Sequence, residues 1–407
     1  MRYFDANATT PLHPAARAAW LAAQDAHWQN AAAFSAGGVR ANVVLEECRA
    51  RLAARFAPKM KIVFTGGATE ANNAVIASEA ALTSEATGHG CGVSALEHAS
   101  VREPAAKFFG ARMWTFLALA DGTADLDALE ARLKQANGTG TLVSLMAVNN
   151  ETGVVQPVRE AVAIAHRYGA RVHCDASQAF GKLSAPEVAV LTAGCDYVVG
   201  CAHKFGGQKG VGFLAFNPET CPRFCGQCGG GQEDHRRAGT VDTPGIAAML
   251  AALEAAEREA ADTAATARRR QARVDFEEEV CGRVAGTVVN GAKAAAGRVW
   301  NTTSLTLPRH GNLRWLKRLE RRGFVVATGS ACAATEAPGT PSRVLSAMGI
   351  SADAAARTVR VSAWYGSVPE ELAALAVAFA EVAAELDAES VSSETGDSGS
   401  PGVISVR

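Results

Sequence analysis

The sequence predicts an α/β fold: a largely parallel sheet with helices packed on it, followed by a second, smaller domain. Three observations carry this. From about residue 40 to 215, short apolar runs alternate with longer segments of helical periodicity, the pattern of parallel strands joined by crossover helices. Around Gly245–Val280 the texture changes to an Ala- and charge-rich helical stretch. The length of 407 residues also exceeds what one hydrophobic core usually organises.

The elements follow in order. Asn42–Phe56 places Val44, Cys48, Leu52 and Phe56 on one face of an amphipathic helix. Lys61–Phe64 reads as a short strand and Thr141–Val148 as a buried one. Pro157–Tyr168 is a helix opened by proline and stopped by Gly169. Arg171–Cys174 and Asp196–Val199 are further strands. The charges of the 245–280 stretch read as a solvated helix face leading into the second domain. The expected division is a large domain over 14–257 and a small one built from 1–13 and 258–387. A Ser- and Gly-rich disordered tail is expected over 388–407.

Composition narrows the function classes. Hydrophobic residues make up 48% and charged residues 20%, as in ordinary soluble globular proteins. A net charge of −1, with both signs scattered, argues against nucleic acid or an anionic membrane as main partner. The opening MRYFDANATTP lacks a basic and apolar leader, and no run approaches the roughly 20 apolar residues of a membrane span. A cytoplasmic protein is expected. The ten cysteines are dispersed and expected to be reduced, with Cys48, Cys91 and Cys195 inside apolar runs as small hydrophobes.

In open α/β sheets, ligands bind beyond the carboxyl ends of the strands. The residues that follow each apolar run therefore form one inventory: TGGATE (Thr65–Glu70), NNETG (Asn149–Gly153), Asp175 with Gln178, and His203-Lys204. TGGATE at a helix start offers open backbone N–H groups and the Thr69 hydroxyl, which suit a phosphate; a tight turn capping a helix is an equal reading. It lacks the Gly-Lys-Ser/Thr ending of a nucleotide P-loop, and Gly206–Gly212 does not have dinucleotide-fingerprint spacing. Lys204, beside a histidine, an aromatic residue and glycines, can form a Schiff base with a carbonyl cofactor. Pyridoxal phosphate needs such a lysine, a carboxylate under the pyridinium nitrogen, a phosphate cradle and a group stacked on the ring. Asp175 can be that carboxylate.

The motifs YFDANATTP, TGGATEANN, EHASV, VNNETGVVQP, HCDASQAFGK, AHKFGGQKGVG, GGGQE with RRAGT, and GSAC occur in this order from Tyr3 to Cys332. In these the chain resembles the cysteine desulfurases of the nitrogen-fixation and iron–sulfur-assembly type. Those belong to the class V aminotransferase group of pyridoxal-phosphate enzymes. The resemblance implies fold type I, with a mostly parallel seven-stranded sheet in the large domain and an α+β small domain. It implies Lys204 as the Schiff-base lysine, Asp175 as pyridinium partner, Gln178 on the phenolic oxygen and His98 stacked on the ring. Ala68, Thr69, His203 and Cys201 fall at phosphate-site positions, Cys201 where the family usually has serine. Thr240 matches a residue that reaches the phosphate of a neighbouring subunit, which implies a homodimer. Asn150 and Arg360 match the pair that holds the substrate carboxylate. Cys332, in ATGSACAATEAPGTPSRVL, matches the nucleophilic cysteine.

The implied reaction converts L-cysteine to alanine. Lys204 removes the α-proton, and Cys332 takes the substrate sulfur as a persulfide. That sulfur passes to an acceptor protein, an iron–sulfur scaffold or a thiolation enzyme. A selenocysteine lyase or other class V lyase is the alternative, and a degenerate scaffold or metal-binding protein a second. The family's usual Asn-Pro-Ser-Ser-x-His reads Asn30-Ala31-Ala32-Ala33-Phe34-Ser35 here. Cys221, Cys225 and Cys228 add a C-x₃-C-x₂-C arrangement of a kind that can hold zinc or an iron–sulfur cluster, but no fourth ligand is evident. His235 reads better as a polar loop residue, and incidental or sulfur-relay cysteines with no metal are the expectation.

Overall fold

The short apolar runs become strands because their alternate residues can be buried on both faces of one sheet. In the computed structural model, which describes residues 1–83, 89–135, 138, 140–329 and 342–395, the chain opens with β1 (Arg2–Tyr3). Seven strands then build the main sheet. They are β2 (Lys61–Thr65), β3 (Cys91–Ser94), β4 (Met113–Phe116), β5 (Leu142–Ser144), β6 (Arg171–Asp175), β7 (Tyr197–Cys201) and β8 (Gly212–Phe216). Their spatial order is β2-β8-β7-β6-β5-β3-β4. Only β8 runs against its neighbours; the other pairings are parallel. The predicted sheet is thus observed, with the helices on both faces.

Alternation along β8 shows how the faces divide. Phe213 and Ala215 join the core on one side, Leu214 and Phe216 the core on the other. The expected strand Thr141–Val148 is shorter than predicted. Only Leu142–Ser144 is strand, but Leu145 and Ala147 still donate backbone bonds to His173 and Asp175, which keeps this run extended and buried. The first predicted helix spans Ala36–Ala53 and buries Leu45, Cys48 and Leu52.

A second core gathers Phe4, Phe276, Trp315, Phe324, Val359, Val361 and Phe379. It contains β9 (Val288–Val289), β10 (Thr302–Thr306), β11 (Phe324–Val325) and β12 (Thr358–Ser362). Strand β10 pairs antiparallel with β12 and β9, while β11 pairs parallel with β1. The Ala- and charge-rich stretch is two helices, Thr263–Arg283 following Thr243–Ala261. Asp262 breaks them, its side chain accepting the Ala265 N–H as an N-cap.

The last helix corrects the expected tail. It runs from Pro369 to Thr395, past residue 388. Arg314, Arg318 and Arg322, one helical turn apart, pair with Glu381, Glu385 and Glu389, which share the same spacing on the last helix. This ladder across two helices is invisible to a composition count. Among the described residues, no helix is long and apolar enough to cross a membrane.

Candidate active site

At the carboxyl ends of the parallel strands lies a cavity of about 540 Å³. Its wall takes residues from behind β2, β3, β5, β6 and β7, and from β12 of the second core. Lys204, Asp175, Gln178, His98, Ala68, Thr69, His203, Cys201, Asn150 and Arg360 all line it.

One end is built for an anion. The helix Ala68–Leu82 begins at Gly67, with φ 144° and no side chain capping its first turn, so its N–H groups stay open. A Cβ on Gly212 would stand 2.7 Å from the Gly67 Cα, so glycine there lets β8 lie against the loop. Ser177 Oγ is buried on the wall of the same cavity, with only the Cys201 thiol, a weak sulfur partner, beside it. Cys201 is 2% exposed, and burial pushes its thiol up. Burial and the neighbouring Lys204 lower His203 to about 4, which makes it a neutral ring.

Lys204 Nζ donates to the carbonyls of Asn7 at 2.6 Å and Ala8 at 2.9 Å. Burial is the largest influence and lowers its pKa. That favours the neutral amine, the form that attacks a carbonyl or takes a proton.

Asp175 closes β6. Its Oδ1 accepts the Ser177 N–H at 3.0 Å and its Oδ2 accepts Asn72 Nδ2 at 2.8 Å. The same Asn72 amide donates to Ser100 Oγ, and its Oδ1 meets His173 Nε2. Ser100 in turn fixes His98: Nδ1 accepts the Ser100 N–H at 3.1 Å. The remaining proton of a neutral His98 ring therefore sits on Nε2. Burial lowers the His98 pKa, so the neutral ring prevails near pH 7.

Gln178 is held from behind by Lys182, whose buried Nζ donates to Oε1. This leaves Nε2 as the outward donor; it bonds the Asn7 carbonyl that Lys204 also uses. Burial lowers Lys182 to about 7. Lys182→Met would strand Gln178 Oε1 without a donor, a loss worth about 1–3 kcal/mol. We expect cofactor affinity, read by absorbance titration with pyridoxal phosphate, to fall by roughly 5- to 100-fold. Unchanged affinity would reduce Lys182 to a folding role.

Arg360, also on the cavity wall, is 1% exposed. It donates to Asp5 Oδ1 at 2.6 Å and to the Asn150 carbonyl at 3.1 Å, while its Nε has no partner. The guanidinium is thus fixed in place by two of its five N–H groups, which leaves others for a carboxylate.

Two predicted residues lie elsewhere. Thr240 is exposed and does not line the cavity. Cys332 falls in 330–341, outside the described residues. The flanks of that segment are informative. Ser342 Oγ donates to Glu151 Oε2 at 2.6 Å, and a Cβ on Gly329 would meet the same oxygen at 3.1 Å. Both flanks therefore meet next to Asn150. The three closely spaced cysteines do not converge: Cys221 is buried against Tyr197 and Phe224 in the core, while Cys228 is exposed. Among the described residues, no group of three or more His, Cys, Asp or Glu side chains is arranged to hold a metal.

Sequence reasoning missed Asn7, Asn72, Ser177 and Lys182. Each lies inside a motif already singled out, but its role depends on a partner far along the chain or on a side chain's direction.

Residues 2–375 match the aminotransferase class-V family. The chain belongs to that family. Within class V, it is 32% identical over 379 residues to an IscS-like cysteine desulfurase of Mycobacterium tuberculosis, covering 91% of this chain and 93% of that one. It is 34% identical over 390 residues to a cysteine desulfurase of Rhodobacter capsulatus, covering 94% and 97%. Its fold resembles that of a NifS-like protein from Rickettsia africae, with a TM-score of 0.82, 25% identity, and 94% and 99% of the two chains covered. The uncapped helix start, the buried Ser177 hydroxyl with only a sulfur partner, the Asp175 carboxylate and the buried lysine together fit pyridoxal phosphate.

Proposed function

We propose that this class V protein is a pyridoxal-phosphate-dependent cysteine desulfurase that converts L-cysteine to L-alanine and carries the sulfur on Cys332. The observation that carries this is the convergence of Lys204, Asp175, His98 and Gln178 on one cavity, in a chain whose relatives are named cysteine desulfurases.

When bound, pyridoxal phosphate supplies an electron sink that makes the substrate α-proton acidic. The turn at Gly67–Thr69, with Ser177 and His203, would hold its phosphate. Asp175, fixed by Asn72 and Ser177, would keep the ring nitrogen protonated. Gln178 would offer Nε2 to the phenolic oxygen, and His98, on the same cavity wall, would stack on the ring. Arg360 and Asn150 take the substrate carboxylate, so the α-carbon faces Lys204, whose neutral amine accepts the proton. An unperturbed thiol is only a few per cent thiolate near pH 7, so Cys332 needs a base at the moment of attack. Cys332 follows Gly329 by three positions in sequence, and Gly329 lies against Glu151, the neighbour of Asn150.

A homodimer fits several surface features. Trp28, Phe34, Val39 and Val43 expose a run of apolar side chains. Beside them opens a hollow of about 760 Å³ whose central charges are already paired, Arg49 with Glu46 and Glu233. An apolar rim with neutralised charges suits a protein surface better than a small ligand, and the exposed Thr240 is free to reach outward. The described cysteines are all free thiols, which suits a reducing cytoplasm. Persulfide delivery to an acceptor protein completes the cycle.

The test supplies L-cysteine and follows sulfide and alanine, with selenocysteine in parallel. Cys332→Ala should retain the yellow cofactor but lose persulfide and sulfide release. Undiminished desulfuration in that variant would overturn the proposal, and selenocysteine turnover that far exceeds cysteine turnover would favour the lyase.

A further inference from the structure

Cys225 and Cys228 remain outside the proposed reaction. They are the last two cysteines of the C-x₃-C-x₂-C run, and their Sγ atoms lie 3.7 Å apart, with no third metal-ligating side chain grouped with them among the described residues. Cys228 is exposed and Cys225 half-buried, so the pair is open to small molecules from one side. The backbone that carries them is clamped. Cys225 N–H donates to Ser78 Oγ, Gly226 N–H to the Arg236 carbonyl, and Gln227 accepts the Ala238 N–H. Cys225 Sγ also touches the His235 carbonyl at 3.5 Å. The two thiols are therefore held together by the fold.

From this geometry we infer that Cys225 and Cys228 form a redox-active dithiol that reduces small disulfides and closes to an internal disulfide. The exposed Cys228, as thiolate, attacks one sulfur of a low-molecular-weight disulfide. It forms a mixed disulfide and releases one thiolate of the small molecule. Cys225 then gives up its proton and attacks the Cys228 sulfur, forming the Cys225–Cys228 bond and releasing the second thiolate. Two protein thiols lose two electrons and two protons, and one small disulfide becomes two thiols. An S–S bond needs about 2.0 Å, so side-chain rotation within the clamped turn supplies the remaining approach. Burial and the adjacent Cys228 raise the Cys225 thiol. This keeps its proton in place until the second step, which matches the order attacking thiol first, resolving thiol second. The chemistry is independent of Cys332 and of the cofactor site.

The experiment incubates the reduced cofactor-loaded protein with excess glutathione disulfide, quenches with acid, alkylates after denaturation and maps peptides, so that Cys332 is read separately. The expected result is a peptide spanning both cysteines that has lost two hydrogens and both alkylation sites, and regains them with dithiothreitol. In Cys225→Ser, Cys228 should instead accumulate glutathione as a stable adduct. The proposal is overturned if both cysteines of the wild type remain alkylated, if wild-type Cys228 holds a lasting glutathione adduct, or if the bond links two chains.

Discussion

Lys204→Ala and Lys204→Arg are expected to be equally inactive, each losing alanine and sulfide production by at least about 10²–10⁴-fold. Alanine removes the amine. Arginine keeps a positive charge and donors that can still reach the Asn7 and Ala8 carbonyls, yet it cannot release its proton near neutral pH. The native amine can, because burial lowers its pKa and its two direct partners are neutral carbonyls rather than carboxylates. The comparison separates charge from proton movement. A second readout is covalent: borohydride treatment should fix the cofactor to the native chain and to neither variant. An arginine variant that keeps more than about a tenth of native turnover would show that Lys204 serves as a cation and not as a base.

The second large effect concerns stability. Glu97 is buried between the Met146 N–H, which its Oε1 accepts at 2.5 Å, and a position where Oε2 has no partner. Burial, and then Asp175, push its pKa up to about 8. The sign follows from proton counting. Between the ordinary carboxyl range near 4.5 and about 8, the unfolded chain has lost this proton while the folded chain retains it. Stability therefore falls as pH rises through that window and levels off above it. At about 1.4 kcal/mol per pH unit, the upper bound is roughly 5 kcal/mol. Glu97→Gln keeps the acceptor for Met146 and removes the titration. Denaturant melts of both proteins should coincide near pH 5 and diverge above pH 8, with the glutamine variant more stable. Parallel pH profiles would disprove the buried neutral carboxyl.

The sequence made the large sheet and most of the site legible because both are written locally. Apolar runs followed by Asp175 or His203-Lys204 place chemistry at strand ends, wherever the strands come to lie in the sheet. Less legible was anything decided by side-chain direction. Cys221, Cys225 and Cys228 have ligand-like spacing, but Cys221 turns into the core beside Phe224 while the other two face outward. Lys182 reads as one more surface lysine until the turn after β6 brings it under Gln178. The arginine–glutamate ladder that extends the last helix needs two helices to be seen together.

Asn7 gives the site a temporal order during synthesis. Its carbonyl holds both Lys204 and Gln178, but its own backbone N–H is held by Ser362 Oγ, and the neighbouring Asp5 is 355 residues from its partner Arg360. Asp5 and Asn7 thus wait for partners 355 positions later in the chain before they can settle. Closing so long a loop is paid for late, so a nascent chain can complete the main sheet yet still lack a finished wall around its lysine. A chain stopped short of β12 therefore lacks Arg360 and Ser362, and with them the anchors of Asp5 and Asn7.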